Sequence, residues 1–216
     1  MKKEKWVRAR SDEQKEIRVQ EIVSATERLY SKHRYEEITF VQIANEAGFT
    51  RSNLYKYFSS KEEIFLEFLK HDMEIWKSDL LKNFRKSDYS VDEFAEIWID
   101  LLQKNKRLTE LTSILYLHLE KEVSYDSLLD FKRTFTKDFE QVIAHLAGKI
   151  KGFTINKVPE FLSLQSMIGV GLYQMTDLSE NQKKILKLPE FCQWKVDFRQ
   201  KFVQTIIYIL EGLLKK

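Results

Sequence analysis

Residues 48–58 read GFTRSNLYKYF, and this stretch determines how the N-terminal part of the chain is interpreted. A single glycine precedes a short polar run, and the run leads into a cluster of aromatic residues. Gly48 predicts the end of one helix, because glycine readily adopts the left-handed conformation that closes a helix. Thr50 or Ser52 predicts the start of the next helix, because hydroxyl side chains cap helix N-termini. The stretch therefore joins two short helices.

The remainder of the chain is also predicted to be helical. Only 6 Gly and 2 Pro occur in 216 residues, which favours long helices with short connections. A Ser or Thr followed three residues later by Gln or Glu predicts a capping box at a helix start. This pattern occurs at Ser11–Gln14, Thr39–Gln42, Ser60–Glu63 and Ser90–Glu93. We predict an all-α protein of about nine helices, with short N-terminal helices at 11–33, 38–47 and 50–58.

Three of the later helices are predicted from apolar spacing and from the two prolines. Leu108–Leu119 is rich in leucine and isoleucine and is expected to form one helix. Pro159 suits the first turn of a helix over Val158–Thr176, and Pro189 suits the first turn of a last helix that reaches about Leu214.

Composition excludes several classes of protein. No apolar run approaches the ~18 residues of a membrane-spanning helix, and no apolar segment follows the basic MKKEKWVRAR, so we expect a cytoplasmic protein without a secretory signal. The single cysteine, Cys192, excludes an internal disulfide and argues against a thiolate metal site. Its setting, EFCQW, predicts a small core residue and not a nucleophile.

Positive charge is concentrated at the N-terminal end. Residues 1–61 contain 13 Lys and Arg against 9 Asp and Glu, whereas residues 62–216 contain 23 against 24. This asymmetry is typical of a protein with an anionic partner at that end. A solvated basic tail explains it equally well, and Lys2, Lys3, Lys5, Arg8 and Arg10 either reach a DNA groove or backbone or form such a tail.

Two short helices joined by a glycine-containing turn have the size of a helix-turn-helix, whose second helix enters the DNA major groove. The predicted second helix begins with the donors Thr50, Arg51, Ser52 and Asn53. Arg51 is the candidate for bidentate recognition of guanine, and Asn53 for adenine or a phosphate. The phenols of Tyr55 and Tyr57 suit phosphate contacts, Lys56 and Lys61 supply charge, and Phe49, Leu54 and Phe58 are expected to pack inward. Packing in the core remains an alternative for Tyr55.

Residues 11–70 resemble the DNA-binding domain of the TetR family of bacterial transcriptional regulators. The resemblance rests on ITFVQIANEAGFTRSNLYKYFSSKEEIF and on the preceding helix that ends in LYSKHRYEEIT. It is specific over roughly 50 residues, and beyond residue 80 it concerns only the length and the helical character of the chain. It implies a DNA-binding domain over residues 1–60 and a ligand-binding and dimerisation domain over residues 61–216.

The resemblance also implies roles for individual residues. Thr39 matches a phosphate-contact position, in addition to its capping role. Arg51, Ser52 and Asn53 match base-facing positions of the recognition helix. Tyr55, Tyr57 and Lys61 match phosphate contacts.

The last two helices are expected to form a dimer interface. The segment FLSLQSMIGVGLYQM is apolar around most of its circumference, and glycines inside a helix indicate close approach by another helix. The last helix has two apolar stripes, one for the core and one for a partner. The resemblance implies a homodimer joined by a four-helix bundle, and hence a near-palindromic operator. The candidate interface residues are Met167, Gly169, Val170, Gly171, Phe202, Ile206 and Leu210.

The middle helices are rich in large aromatic residues, which suit a pocket for an apolar or aromatic effector. For each of these residues, packing in the core is the alternative. His118 is a candidate polar anchor, and it forms no metal site with Glu120 and Glu122, because alternate positions do not share a helix face. The candidate pocket residues are Trp98, Tyr116, His118, Phe135, Phe139 and Tyr173.

The resemblance to the TetR family implies a ligand-inducible homodimeric repressor that binds double-stranded DNA. The alternative is a DNA-binding activator or architectural regulator without a small-molecule ligand, which a cavity in the C-terminal domain would argue against. An enzyme is not expected, because no catalytic set, metal-ligand spacing or glycine-rich phosphate loop occurs. We accordingly predict no cofactor and no metal.

Overall fold

The computed structural model describes residues 12–215, which form helices and connecting turns without a β-strand. The prediction of an all-α fold is confirmed. The α-helices are, in chain order, α1 (Asp12–Tyr30), α2 (Phe40–Glu46), α3 (Arg51–Leu54), α4 (Lys61–Asn83), α5 (Val91–Lys104), α6 (Lys106–Ile114), α7 (Glu120–Glu122), α8 (Tyr125–Leu146), α9 (Val158–Thr176), α10 (Glu180–Ile185) and α11 (Phe198–Lys215). No helix in this part of the chain is long and apolar enough to cross a membrane.

The chain divides into two compact units. The first contains the residues up to Phe68 together with His118–Leu128, and the second contains the remaining residues. The first unit therefore includes α1–α3 and the beginning of α4. The domain boundary predicted after residue 60 falls just before α4 and stays a prediction.

The first unit has an apolar core beneath its short helices. The rings of Tyr30 and Tyr35 each meet the Phe65 ring edge to face, with centroids 5.6 and 5.0 Å apart. Such aromatic contacts add stability beyond the area that they bury. Besides Tyr35 and Phe65, the buried apolar side chains of this unit are Ile22, Val23, Ala25, Ile38, Ile43, Ala44, Leu54, Phe58, Ile64, Leu66, Phe68 and Leu119.

The predicted capping boxes fix where the helices begin. The backbone N–H of Gln42 donates to Thr39 Oγ1 at 3.3 Å, and Gln42 Oε1 accepts from the Thr39 N–H at 2.8 Å. The same reciprocal pair forms between Ser90 and Glu93 at the start of α5. Both predictions are confirmed, whereas the box predicted at Ser11 lies outside the described residues.

Glu63 ties the start of α4 to the segment His118–Leu128. Ser60 Oγ accepts from the Glu63 N–H as predicted, but the Glu63 carboxylate accepts from the Ser59 N–H at 2.7 Å and from the hydroxyls of Ser124 and Ser127. Burial alone raises the pKa of this carboxyl, but these hydrogen bonds outweigh burial and hold its pKa below the ordinary value. Glu63 is therefore ionised at neutral pH and links two parts of the first unit.

The second unit is built around an aromatic core. The rings of Phe94 and Trp98 stack with centroids 5.9 Å apart, and Phe161 meets both rings edge to face. Helix α11 packs against α5 and α9 and contributes Phe202, which is completely buried. The core therefore depends on rings from three helices that are distant in sequence.

The structure differs from the sequence prediction over Leu108–Leu119. Helix α6 ends at Ile114, and a π-helical turn occupies Leu115–Leu119. A π-helical turn holds more residues than an α-helical turn, so it changes the direction in which the following side chains point. Apolar spacing does not reveal this change.

The prediction that Pro189 opens the last helix is wrong. Helix α11 begins at Phe198, where Asp197 Oδ1 accepts from the Gln200 N–H at 2.8 Å and caps the helix. The preceding segment contains the short helix α10, which begins with a capping box of Ser179 and Gln182.

Cys192 was predicted in the core, but it is exposed. It lies in the short 3₁₀ turn Cys192–Trp194 that precedes α11, and its Sγ donates to the Pro189 carbonyl at 3.1 Å. Its apolar neighbours Phe191 and Trp194 pack on each other, with centroids 5.9 Å apart. The apolar setting therefore belongs to a surface connection.

A bidentate ion pair connects α4 and α6 within the second unit. Arg107 Nε and Nη2 donate to the two carboxylate oxygens of Asp72 at 2.7 and 2.6 Å. The Asp72 side chain is only 7% exposed. The exposed pair of Lys86 and Glu93, at 3.2 Å, provides a contrast in the same unit.

We predict that Arg107→Met lowers the free energy of unfolding by about 3 kcal/mol, because the Asp72 carboxylate is left buried without its charged partner. Lys86→Met serves as the control and should cost about 0–1 kcal/mol, because that pair is exposed to solvent. Urea unfolding followed by circular dichroism measures both. Equal losses in the two variants would contradict the structural importance of the Asp72 pair.

Candidate nucleic-acid interface and an apolar cavity

The residues predicted to read DNA bases lie on one exposed face of α3. Arg51, Ser52 and Asn53 are exposed, whereas Leu54 is completely buried and Phe58 is 6% exposed. The buried pair attaches this short helix to the core of the first unit. The polar side chains are therefore presented outward on a fixed support.

The turn between α2 and α3 forms as the sequence predicts. Gly48 has a φ of 73°, in the left-handed region that favours glycine, and the Phe49 N–H donates to the Ala44 carbonyl at 2.8 Å. Thr50 Oγ1 then accepts from the Asn53 N–H at 3.2 Å and caps α3. Thr39 and Thr50 are both exposed at their caps.

The Tyr55 side chain is partly packed against the protein and partly exposed to solvent. Its ring is 49% exposed and lies against Phe40, with centroids 4.7 Å apart, while its hydroxyl accepts from Arg51 Nη2 at 3.1 Å. The Arg51 guanidinium also lies 5.5 Å from the centroid of the Tyr55 ring. Phe40 and Tyr55 thus support the arginine that is the candidate base-reading residue.

The basic residues near α3 have different surroundings. Lys56 is exposed and donates to Asn53 Oδ1 at 2.7 Å. Lys61 is half-buried, and its ammonium donates to the carbonyls of Tyr35 and Ile38, both at 3.0 Å. The same ammonium lies 4.0 Å from the centroid of the Tyr35 ring. The charge of Lys61 is therefore used inside the first unit, which the sequence prediction of a phosphate contact did not anticipate.

Tyr35 is central to this internal contact. Its hydroxyl donates to Glu62 Oε1 at 2.8 Å. Burial, together with this hydrogen bond and the charge of the carboxylate, raises the pKa of the Tyr35 phenol. Tyr57, in contrast, is half-buried and meets the Phe49 ring edge to face at 5.8 Å.

Two family models match the chain. The model for bacterial regulatory proteins of the tetR family matches residues 22–68, and the model for the tetracyclin repressor-like C-terminal domain matches residues 70–216. The chain belongs to the TetR family. The resemblance stated from the sequence is confirmed, and α2, the turn at Gly48 and α3 are the helix-turn-helix of a TetR-family DNA-binding domain. Members of this family are transcriptional regulators and not enzymes, which confirms that prediction.

Curated relatives are regulators of the same kind. The chain is 24% identical over 116 residues to an uncharacterized HTH-type transcriptional regulator of Haemophilus influenzae, in a match that covers 52% of this chain and 57% of that protein. It is 30% identical over 98 residues to the HTH-type regulator YfiR of Bacillus subtilis, covering 45% and 44%. The chain thus spans about half the length of the curated relatives it matches.

A solved structure shows the same fold. The TetR family repressor AlkX from Dietzia sp., a protein implicated in the biodegradation of n-alkanes, aligns with a TM-score of 0.54 at 14% identity. The alignment covers 91% of this chain and 95% of that chain. At this identity the likeness concerns the fold alone.

The second unit of this TetR-family chain contains a cavity of about 90 Å³. Tyr116, Phe135 and Phe139, which were predicted to line an effector pocket, lie in its wall. The complete lining is Leu69, Met73, Trp76, Leu102, Leu108, Thr109, Thr112, Leu115, Tyr116, Phe135, Phe139, Gln165, Ser166, Gly169 and Val170. The sequence prediction did not include Trp76 or Gln165, although a lone glutamine among apolar residues in FLSLQSM is a signal for a buried polar group.

Three other predicted pocket residues lie elsewhere. Trp98 is 1% exposed and belongs to the aromatic core, because its indole stacks on Phe94. Tyr173 lines a separate hollow. His118 lies in the first unit, within the π-helical turn Leu115–Leu119, and its ring centroid is 5.3 Å from that of Tyr35. None of these three side chains is a wall of the cavity.

The seven candidate interface residues fall into two groups. Met167, Val170 and Gly171 are exposed or half-buried on α9. The others are buried in the chain's own core and are therefore not available to a partner: Gly169, Phe202, Ile206 and Leu210. A Cβ added at Gly169 would lie 3.2 Å from the Phe202 ring, so this glycine allows α9 to approach α11 within one chain.

An exposed apolar face nevertheless remains on α9 and α11. Met167, Met175 and Tyr208 are 66%, 59% and 62% exposed. Gly171 and Gly212 lie among these residues at helical spacing, and a Cβ added at either would meet no atom within 4 Å.

Among the described residues, no cluster of three or more His, Cys, Asp or Glu side chains is placed to hold a metal ion.

We predict that Lys61→Met reduces the protection of α2 and α3 amides from hydrogen exchange. The loss should correspond to about 1–3 kcal/mol, because two backbone carbonyls lose a charged donor. Lys56→Met is the control, since its exposed ammonium contacts only a neighbouring side chain; it should leave protection unchanged. Equal protection in the two variants would show that the Lys61 contacts do not hold the helix-turn-helix in place.

Proposed function

We propose that the protein is a cytoplasmic, ligand-responsive homodimeric repressor that binds a near-palindromic DNA operator. The observation that carries the proposal is the exposed row of Arg51, Ser52 and Asn53 on a helix whose other side is buried. A recognition helix needs both features, because base edges are read by outward side chains on a rigid support. Residues 1–60 would bind DNA, and residues 61–216 would bind the effector and the second subunit.

The proposed contacts with DNA are divided between bases and phosphates. Arg51 carries a fork of donors that matches the acceptors of guanine in the major groove. Asn53 suits adenine or a phosphate, and Ser52 lies beside it on the same exposed face. Phosphate contacts are assigned to exposed or half-buried donors around α2 and α3, and these contacts position the protein without reading sequence. They are Thr39, Thr50, Tyr55, Lys56 and Tyr57.

Lys61 is given a different role in the proposal. Its ammonium already donates to two carbonyls at the turn before α2, so it fixes the position of Thr39 at the α2 N-terminus. A positive charge close to that N-terminus still adds to the attraction of a phosphate. Lys61 therefore supports the interface mainly by holding it in shape.

The exposed apolar face of α9 and α11 supports the homodimer. Monomers rarely leave a contiguous apolar surface in water, and small residues allow helices to approach closely. In a dimer with a two-fold axis, this face of one subunit packs against the same face of the other subunit. Two-fold symmetry would present two α3 helices to successive major grooves, which is why the operator is expected to be nearly palindromic.

The cavity supports a response to a ligand. An activator or architectural protein without a ligand has no need for an apolar cavity, so the cavity favours the repressor that responds to an effector. Effector binding would favour a dimer geometry in which the two recognition helices no longer fit the operator. Effector and operator would then weaken each other's binding by the same factor.

We predict that Arg51→Ala relaxes base preference at one position of each half-site by about 1–3 kcal/mol. Tyr57→Phe, which keeps the ring, should weaken binding to all sequences alike, because a phosphate contact carries no sequence information. The probe is an operator selected by the native protein from a pool of random duplexes, and affinity is measured by fluorescence anisotropy at one salt concentration. Arg133→Ala, an exposed arginine of α8, is the control. An unchanged base preference in Arg51→Ala would refute the assignment of α3.

We predict that Gly171→Arg raises the dissociation constant of the dimer about tenfold or more, or about 1.4 kcal/mol. The new side chain meets open space within one chain, so folding should be preserved while a close approach by a partner is blocked. Gln141→Arg, which adds the same charge at an exposed position of α8, is the control. Sedimentation equilibrium measures both variants. A dimer of native strength in Gly171→Arg would place the interface on another surface.

A further inference from the structure

The cavity in the second unit has the chemistry of a binding site for an uncharged molecule. None of the described residues in its wall is Asp, Glu, Lys, Arg or His, and aliphatic and aromatic side chains form most of it. A charged ligand would lose its hydration without gaining a partner of opposite charge, at a cost of several kcal/mol. The volume of about 90 Å³ suits a molecule smaller than benzene, since benzene occupies a cavity of ~150 Å³.

Two polar side chains in the wall, Gln165 and Thr112, have hydrogen-bond partners within the protein. Gln165 Oε1 accepts from the Trp98 Nε1–H at 3.2 Å, and Gln165 Nε2 donates to the Leu162 carbonyl at 3.0 Å. The Thr112 hydroxyl donates to the Leu108 carbonyl at 2.7 Å. The first bond joins α5 to α9, and the other two lie within α9 and within α6.

Trp76 differs from Gln165 and Thr112. Its ring is part of the cavity wall and is only 6% exposed, yet its Nε1–H has no hydrogen-bond partner among the described residues. It meets the Trp98 ring edge to face at 6.0 Å, a contact that supplies no acceptor oxygen or nitrogen. A buried donor without an acceptor is destabilising, and nearly all buried polar groups are satisfied. An unsatisfied donor in a cavity wall therefore points to a group that a ligand provides.

We propose that the effector is a compact, uncharged and mainly apolar molecule that carries one hydrogen-bond acceptor, such as a ketone oxygen, which accepts from the Trp76 Nε1–H. This inference rests on the proposed function, because it takes the cavity as the effector site. The two indole donors have different acceptors: Gln165 accepts from the Trp98 Nε1–H, and the ligand accepts from the Trp76 Nε1–H. Selectivity for an acceptor follows, because a hydrocarbon of the same shape leaves the Trp76 donor unpaired.

The test compares cyclobutanone with methylenecyclobutane, which has nearly the same shape but replaces the ketone oxygen by a methylene group. Calorimetry on the full-length protein should show that cyclobutanone binds about tenfold more tightly, a difference of about 1.4 kcal/mol. Trp76→Phe removes the N–H and keeps an aromatic ring, so the two compounds should then bind equally. Trp194→Phe, at a tryptophan that is 68% exposed, is the matched control and should keep the preference.

Proton–nitrogen NMR provides a second measurement that does not depend on the affinity of a variant. The chain has 4 tryptophans, so the indole spectrum is simple, and Trp76→Phe identifies the Trp76 signal. Cyclobutanone should move that signal downfield, and methylenecyclobutane should not. Equal affinity for the two compounds, binding of neither, or an unmoved Trp76 signal would overturn the inference. Binding that depends on Trp76 but leaves operator affinity unchanged would instead refute the effector role of this cavity and leave its chemistry standing.

Discussion

The burial of Leu54 and Phe58 is the contact on which the DNA-binding surface depends. Helix α3 has only four residues, too few to be stable by its own hydrogen bonds, so it exists because these side chains attach it to the core. The cap from Thr50 and the left-handed Gly48 only set its direction. The exposed side chains of α3 are ordered as a consequence, and their value for recognition is that little conformational entropy remains to be lost on binding.

The second unit combines dense packing with a local gap. Rings from α5 and α9 pack on Trp98, the rings of Phe198 and Phe202 stack on each other within α11, and Gln165 satisfies the Trp98 indole. One helical turn away along α9, Gly169 and Val170 line the cavity. The same helix therefore serves the core, the cavity and an exposed apolar face, which explains why its sequence is apolar around most of its circumference.

The sequence predicted features that depend on neighbours along the chain. The capping boxes at Thr39 and Ser90, the turn at Gly48 and the burial of Leu54 follow from local patterns, and all four occur in the structure. Features that depend on distant residues were missed. His118 lies in a π-helical turn and not in the cavity wall. Phe202, Ile206 and Leu210 are buried in the core of the chain. An apolar stripe in a sequence does not indicate whether it faces the core or a partner. The capping box of Ser179 and Gln182 can also be recognised in the sequence. Pro189 nevertheless predicted a helix start further along the chain, where none occurs.

Lys61 and Trp76 show what decides whether a polar group is structural or functional. From the sequence, Lys61 is an obvious donor for phosphate and Trp76 an ordinary core residue. In the structure Lys61 donates to two carbonyls, whereas the Trp76 N–H has no acceptor. A buried or half-buried donor that is already satisfied gains little from a ligand, because one hydrogen bond would only replace another. An unsatisfied donor gains the full free energy of a new hydrogen bond. Buried donors without an acceptor therefore mark the positions where a ligand's hydrogen bond contributes most to the free energy of binding.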